Sequence, residues 1–296
     1  MTSKYTIYYI NLDRAPERAA FMDTQLSKLG LSPFTQRVAA VDALDQKNES
    51  AYEQQKRTSR WMMLESEIAI FESHRKIWKR IVKNQQAHTV ILEDDVFLSN
   101  DLRKTIDTVL SSISKYDVVK LDGFDLPKVL FGSGIHLNGL TVRPILSAVG
   151  SAACYLVSLS GAQKLLDQSS TYCDVVDDFL FEPRVNWSAL QVEPAVGVQG
   201  MFLNAKYTNA FPKAVSQSER TQIQSINGKR TKGPLSYRVK KEFLRLAKKI
   251  FMKYLGKQLL LNNSGKIGPI TLAPDLGKYN SVSAKICQSK PLYHLK

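Results

Sequence analysis

Three adjacent carboxylates, Glu93, Asp94 and Asp95, follow directly on the apolar run Val90-Ile91-Leu92. A short run rich in β-branched residues predicts a buried strand. A core strand that ends in neighbouring acids is unfavourable unless those acids meet solvent or a cation. On an extended backbone Glu93 and Asp95 point to one side and Asp94 to the other. Two carboxylates on one side suit a hard divalent cation, which usually shares its shell with phosphate oxygens. The competing reading is a solvated acidic turn. In open α/β sheets, ligands sit at the carboxyl ends of the strands. Three other acidic positions stand where a strand ends or a helix begins: Asp42, Asp122 with Asp125, and Asp177 with Asp178.

These residues need elements to position them. Residues 5–12 read as a first strand. A helix follows to Leu29, with Pro16 in its first turn, Asp13 placed to cap it and Gly30 ending it. A second strand, 35–41, ends in Asp42. Residues 43–60 are polar and weakly patterned, a surface loop that serves as a lid or is partly helical. Residues 64–83 form a strong helix, because Ile68, Phe71, Trp78, Ile81 and Val82 recur at helical spacing. His74 lies on that stripe and is expected to be half-buried.

After the acidic strand come a helix over 102–113, a strand over 117–121 and a hairpin over 129–144. A strand over 152–158 precedes a helix from Ser160 to Leu166. A helix then starts at the acids of 174–181. The last strand, 190–198, contains Pro194 and is therefore short or at an edge. Strands alternating with helices predict a parallel α/β sheet. There is no GxGxxG after the first strand and no GxxxxGK[ST], which argues against a classical dinucleotide site and a phosphate loop.

The 296 residues carry 44% hydrophobic side chains, enough for a substantial core. No stretch has the length of apolar sequence that a membrane helix needs. Asn11, Asp13 and Arg14 interrupt the first strand region, so residues 1–12 do not read as a signal peptide. Cys154, Cys173 and Cys287 are few and widely spaced, which predicts reduced thiols in a cytoplasm.

The net charge of +14 is concentrated. Between Arg220 and Lys257 twelve basic residues face one acid, Glu242, for a local charge of +11. Within this segment Val239, Phe243, Leu246, Ala247, Ile250 and Tyr254 fall on one helical face, with lysines and arginines beside them. That pattern predicts an amphipathic basic helix at an anionic membrane surface. The alternative is that its apolar face packs on the body. Few aromatics and no recognition fold argue against a nucleic-acid partner. The expected division is a catalytic body over 1–215, a basic amphipathic segment over 216–257 and a C-terminal extension over 258–296.

Several segments match one pattern in order. They are Asn11-Leu12-Asp13-Arg14 with Glu17-Arg18, then Ala39-Ala40-Val41-Asp42, then Glu67 and Ser73-His74 with Trp78. Leu92-Glu93-Asp94-Asp95 comes next, followed by Tyr155, Gly161-Ala162, Leu165-Leu166 and Val176-Asp177-Asp178. The ordered set, over residues 5–200, resembles glycosyltransferase family 25, the bacterial lipooligosaccharide galactosyltransferases, whose relatives modify collagen in animals. Ser66 and Ala69 stand where such enzymes usually carry glycines.

The resemblance implies a GT-A fold, a Rossmann-like mixed sheet flanked by helices and extended here by the C-terminal basic helix. It implies a UDP-sugar donor, most often UDP-galactose with UDP-glucose as the alternative, and Mn²⁺ or Mg²⁺. Glu93-Asp94-Asp95 takes the part of the DxD motif. Asp95 is then the direct metal ligand. Glu93 reaches the metal through water or holds the ribose, and Asp94 supports the loop or the donor sugar. Leu12, Arg14 and Arg18 are placed at the donor, where guanidinium forks suit phosphate, although Arg18 also fits a solvated helical turn. Asp42 touches uridine or caps a turn. His74 is core packing or a polar support beneath the donor loop.

Asp177 is the expected base with Asp178 as its neighbour or an acceptor clamp. The two roles are exchangeable, and both acids also suit plain helix caps. Asp122 and Asp125 are reserves. The expected acceptor is a lipooligosaccharide or related glycan, met at the cytoplasmic face of the cell membrane. Two rivals remain: a nucleotidyl or phosphoryl transferase on the same metal site, and a non-catalytic protein that binds sugar nucleotides or a membrane surface.

Overall fold

The computed structural model describes residues 4–45, 50–53, 63–203, 235–251 and 256–279. The first strand, β1 (Thr6–Asn11), leads into α1 (Pro16–Lys28), β2 (Thr35–Ala39) and α2 (Glu65–Lys83). Then come β3 (His88–Glu93), β4 (Val96–Leu98), α3 (Leu102–Ser112), β5 (Val118–Lys120) and β6 (Leu130–Phe131). The hairpin β7 (Ile135–Leu137) and β8 (Leu140–Pro144) precedes β9 (Cys154–Ser158), α4 (Leu159–Gln168) and α5 (Val176–Phe181). The described chain closes with β10 (Ala189–Glu193), β11 (Gly197–Gln199), α6 (Leu235–Phe251), α7 (Lys257–Asn262) and β12 (Lys266–Ile267).

Eight strands form one sheet in the order β2-β1-β3-β9-β5-β10-β8-β7. β1 runs parallel to β2 and β3, and β5 runs parallel to β10. β9 lies between the two groups and is antiparallel to both β3 and β5. The sheet is therefore mixed, as the family resemblance implied, and not all-parallel as strand–helix alternation alone suggested. The consequence is geometric. The carboxyl ends of β1, β2, β3, β5 and β10 share one edge with the amino end of β9.

Both faces of the sheet are covered, so its central strands read as continuous apolar runs. Ile7, Tyr9, Val90 and Leu92 pack on one side with Phe21 and Met22 of α1 and Ile106 and Val109 of α3. Tyr8, Ile10 and Ile91 alternate to the other side, against Phe71, Ile77 and Trp78 of α2 and Leu165 of α4. Truncating a buried aromatic of this kind costs about 3–5 kcal/mol. Gly161 lets α4 press on the sheet, because a Cβ there would stand 2.2 Å from the Asp117 carbonyl oxygen.

The helix starts are built differently from the expected caps. Pro16 does open α1, but its cap residue is Ala15, without a side-chain bond. Asp13 accepts from Arg37 Nη2 at 2.7 Å instead. At α2, Glu67 reaches back to the Leu64 N–H at 2.9 Å. The final strand breaks at Pro194 into β10 and β11, since proline has no N–H for a ladder. Of the loop over 43–60, residues 46–49 and 54–60 lie outside the described residues.

Residues 266–279 were expected to form part of a separate extension, but they belong to the body. β12 pairs with β6, and Ala195 exchanges hydrogen bonds with Thr271 and Ala273 at 2.8 Å each. Ile270, Ala273 and Leu276 are buried in the core. The Asp275 carboxylate accepts from the Ser99 hydroxyl and the Asn100 N–H, 2.7 Å each. Among the described residues no helix is long and apolar enough to cross a membrane.

Candidate active site

The acidic triplet sits at the sheet edge that the parallel strands share. Glu93 is the last residue of β3, and Asp94 and Asp95 form the turn into β4. Their side chains diverge as extended backbone requires. Asp94 turns toward β1 and α1, where it accepts from Asn11 Nδ2 at 2.7 Å and from Arg18 Nη1 at 2.8 Å. Asn11 in turn accepts from Arg37 Nε at 2.8 Å. Asp94 is thereby fixed, and Arg18 is committed to it in a largely buried ion pair.

Glu93 and Asp95 turn the other way and meet at one atom. Gln199 Nε2 lies 2.8 Å from Glu93 Oε2 and 3.3 and 3.4 Å from the two Asp95 oxygens. Burial, then the charges of Asp122, Asp94 and Asp177, push the Glu93 carboxyl up to about 8. Burial and the Glu93 and Asp94 charges push Asp95 up to about 7, against smaller help from Arg18 and Gln199. Two acids with too little compensating charge are a place where a cation is stabilising.

His74 lies beneath this pair, fully buried rather than half-buried. Trp78 Nε1 donates to the Tyr155 hydroxyl at 2.9 Å, and that hydroxyl meets His74 Nδ1 at 2.9 Å. The Tyr155 proton is best used toward Nδ1, which leaves the His74 proton on Nε2. His74 Nε2 has no hydrogen-bond partner and lies 3.4 Å from Glu93 Oε1. Burial lowers the imidazole to about 3, so it is neutral.

The structure adds Lys120, Ser151 and Gln199, which the sequence did not single out, around the reserve candidate Asp122. Lys120 and Asp122 are both buried at 0% exposure and pair at 2.7 Å, and Lys120 also donates to the Ser151 carbonyl. Ser151 Oγ lies 2.5 Å from Asp122 Oδ2 and 3.2 Å from Gln199 Oε1. A lysine two residues before an aspartate on one strand face was the available signal for the buried pair. Ser151 and Gln199 carry no pattern. Asp122, held in reserve, reaches the acidic cluster, and its charge bears on Glu93.

The two acids of α5 separate. Asp177 is half-buried, accepts from the Ser151 N–H at 3.3 Å, and its charge is felt at Glu93 and His74. Asp178 is fully buried behind it. Farther along the edge, Arg14 pairs with Asp42 at 2.7 Å, and the guanidinium holds that carboxyl below its ordinary range. Asp42 lines a cleft of about 510 Å³ with Asp45, Ser50, Glu65 and Glu72, whereas Glu93 and Asp95 do not line it. Leu12 is half-buried at the turn after β1, its carbonyl accepting from Ala15 N. Asp125 is outside these contacts.

The residues fit a divalent cation of one kind. Among the described residues, no three His, Cys, Asp or Glu side chains converge as a protein-only cage. Two hard carboxylates do converge on one point, with the N–H-bearing His74 Nε2 behind Glu93 and outside the ligand set. That donor set suits Mg²⁺ or Mn²⁺ completed by substrate phosphates.

The family model for "Glycosyltransferase family 25 (LPS biosynthesis protein)" matches residues 4–180. The chain belongs to glycosyltransferase family 25. A "Glycosyltransferase 25 family member" of Drosophila pseudoobscura pseudoobscura is 31% identical over 208 residues, 62% of this chain and 31% of that protein. One of Anopheles gambiae is 28% identical over 204 residues, 62% of this chain and 33% of that protein. The "Probable inactive glycosyltransferase 25 family member 3" of Rattus norvegicus is 26% identical over 190 residues, 59% of this chain and 32% of that protein. This family member thus spans about a third of the length of the curated relatives it matches. A solved structure, mannose-1-phosphate geranyltransferase from Thermus thermophilus, aligns with TM-score 0.35 and 8% identity. The alignment covers 64% of this chain and 74% of that one, and the likeness is too slight to carry an argument.

Proposed function

We propose that this glycosyltransferase is metal-dependent and inverting. It moves a hexose, galactose first among candidates, from a UDP-sugar to a lipooligosaccharide or related glycan. The carrying observation is that Glu93 and Asp95 converge on one point at the ligand-binding edge of the sheet. Asp95 and Glu93 would hold Mn²⁺ or Mg²⁺, which when bound neutralises charge gathering on the departing diphosphate. Arg18 and Asn11 act through Asp94, keeping the turn rigid. Arg14 and Asp42 stand where a nucleotide would lie along the same edge.

The acceptor hydroxyl loses its proton to Asp177 as its oxygen attacks the anomeric carbon and the bond to diphosphate breaks. Asp177 is favoured over Asp178 because it is the one not fully buried. The buried Asp178 lies in the first turn of α5, where the helix dipole favours a carboxylate. Through the basic α6 the enzyme would sit on the anionic inner face of a membrane, where a lipid-linked acceptor would be found; the exposed apolar face flanked by lysines and arginines supports this reading.

The test is a panel of UDP-hexoses with Mn²⁺, scored for UDP release with and without a glycolipid acceptor. Acceptor-dependent release is expected, with Asp177→Asn slowing it at least ~100-fold while UDP-sugar affinity survives. Full turnover by Asp177→Asn would overturn the base assignment. Binding without turnover by the wild type would favour a non-catalytic role, in line with the name of the rat relative. Nucleotide cleavage at the α-phosphate without an acceptor would favour a nucleotidyl transferase.

A further inference from the structure

The geometry points to Gln199 as a third, neutral oxygen ligand of the cation, presented by turning its side-chain amide through a half-turn. This rests on the proposed metal position between Glu93 and Asp95. Gln199 ends β11 beside β4, and its amide fills the space between the two carboxylates on one side and Ser151 on the other.

Proton accounting carries the inference. A serine hydroxyl has one proton to give. Asp122 Oδ2, 2.5 Å from Ser151 Oγ, takes it, because Asp122 is a carboxylate paired with Lys120 Nζ. Gln199 Oε1 then faces Ser151 Oγ at 3.2 Å with no proton between the two oxygens. Turning the amide repairs this contact. Nε2 then donates to Ser151 Oγ, and an unbroken chain of donors runs from Gln199 through Ser151 to Asp122, with Lys120 closing it. The two ends of a glutamine amide are nearly the same size, so the turn needs no backbone movement.

The turned amide sets Oε1 against Glu93 Oε2 and Asp95. Without a cation, three oxygens would repel one another there, which is why the nitrogen faces them in the free protein. With a cation, the same three oxygens are the hard donor set that Mg²⁺ and Mn²⁺ take. His74 supplies a second, independent sign. Its buried Nε2, without a hydrogen-bond partner, faces Glu93 Oε1 at 3.4 Å, so Oε1 looks toward an N–H and Oε2, on the Gln199 side, is the oxygen turned to the metal. Among the described residues no third carboxylate, histidine or cysteine joins the pair, so the amide oxygen of Gln199 is the further protein donor within reach, with phosphates and water completing the shell.

The test is Mn²⁺ binding to the full chain without donor, followed by the electron paramagnetic resonance signal of free Mn²⁺. Gln199→Ala should weaken binding about tenfold or more, and Ser151→Ala should weaken it by less, since it only positions the amide. Gln199→Glu keeps an oxygen donor and should restore binding. Thermal melts of each variant separate lost ligation from lost folding. Wild-type affinity in a folded Gln199→Ala, with Glu93→Gln abolishing binding, would overturn the inference and leave the metal site standing. No Mn²⁺ binding by the wild type would instead remove the metal site itself.

Discussion

The carboxyl of Glu93 shows how much one residue's surroundings decide. Its ordinary value of 4.5 rises to about 8, and that of Asp95 rises from 3.8 to about 7. Between those values the folded protein holds protons that the unfolded chain has released, so stability falls as pH rises. His74 works in the opposite sense. It is held neutral down to about 3 against an ordinary 6.5, so its contribution is lost as pH falls below 6.5. From pH 6.5 to 8 the two carboxylates act, and the buried Asp122, raised by its own desolvation, acts in the same direction. The melting temperature of the cation-free protein should therefore drop across that window, and saturating Mn²⁺ should raise it most at pH 8. A Glu93→Gln, Asp95→Asn double variant should flatten the slope. A flat or rising profile in the cation-free wild type would contradict the burial of this pair. At this scale the acidic triplet was legible, because acids closing an apolar run are conspicuous. Gln199 and Ser151 were not, because single polar residues acquire meaning only from what the fold brings beside them.

Elements were legible where one face repeats. α2 follows its apolar stripe, and the alternation in β1 and β3 follows from a sheet covered on both sides. Asp13 as a cap was a reasonable reading of local sequence, but Arg37 on β2 offers it a charged partner. The basic helix α6 is the element whose partner matters most. Leu235, Val239, Phe243, Leu246 and Ile250, spaced by four, four, three and four residues, are 51% to 72% exposed. The helix carries six basic residues against Glu242. An anionic bilayer satisfies both features, each cation adding roughly 1 kcal/mol near the surface. The full chain should float with vesicles containing phosphatidylglycerol at low salt and much less at high salt. Phe243→Glu with Leu246→Glu should abolish flotation, and equal flotation by that variant would remove the membrane role.

The whole molecule was legible as an α/β fold and, through the ordered motifs, as a member of its family. Two features escaped. β9 runs antiparallel because the chain makes an excursion through β6, β7 and β8 before returning, and alternation of element types does not encode strand direction. Residues 266–279 looked like a tail because Ile270, Ala273 and Leu276, three apart and interrupted by Pro274, make neither strand alternation nor a sustained helical stripe, yet they are buried in the core. What the assembled edge achieves is the gathering of Glu93, Asp95, Asp122, Asp177 and Gln199 from separate segments of the chain. The most direct measurement is a crystal soaked with UDP and Mn²⁺. The expected result is a manganese ion bound by Glu93 and Asp95 and bridged to diphosphate oxygens. UDP and manganese bound elsewhere, with that pair of carboxylates bare, would contradict it.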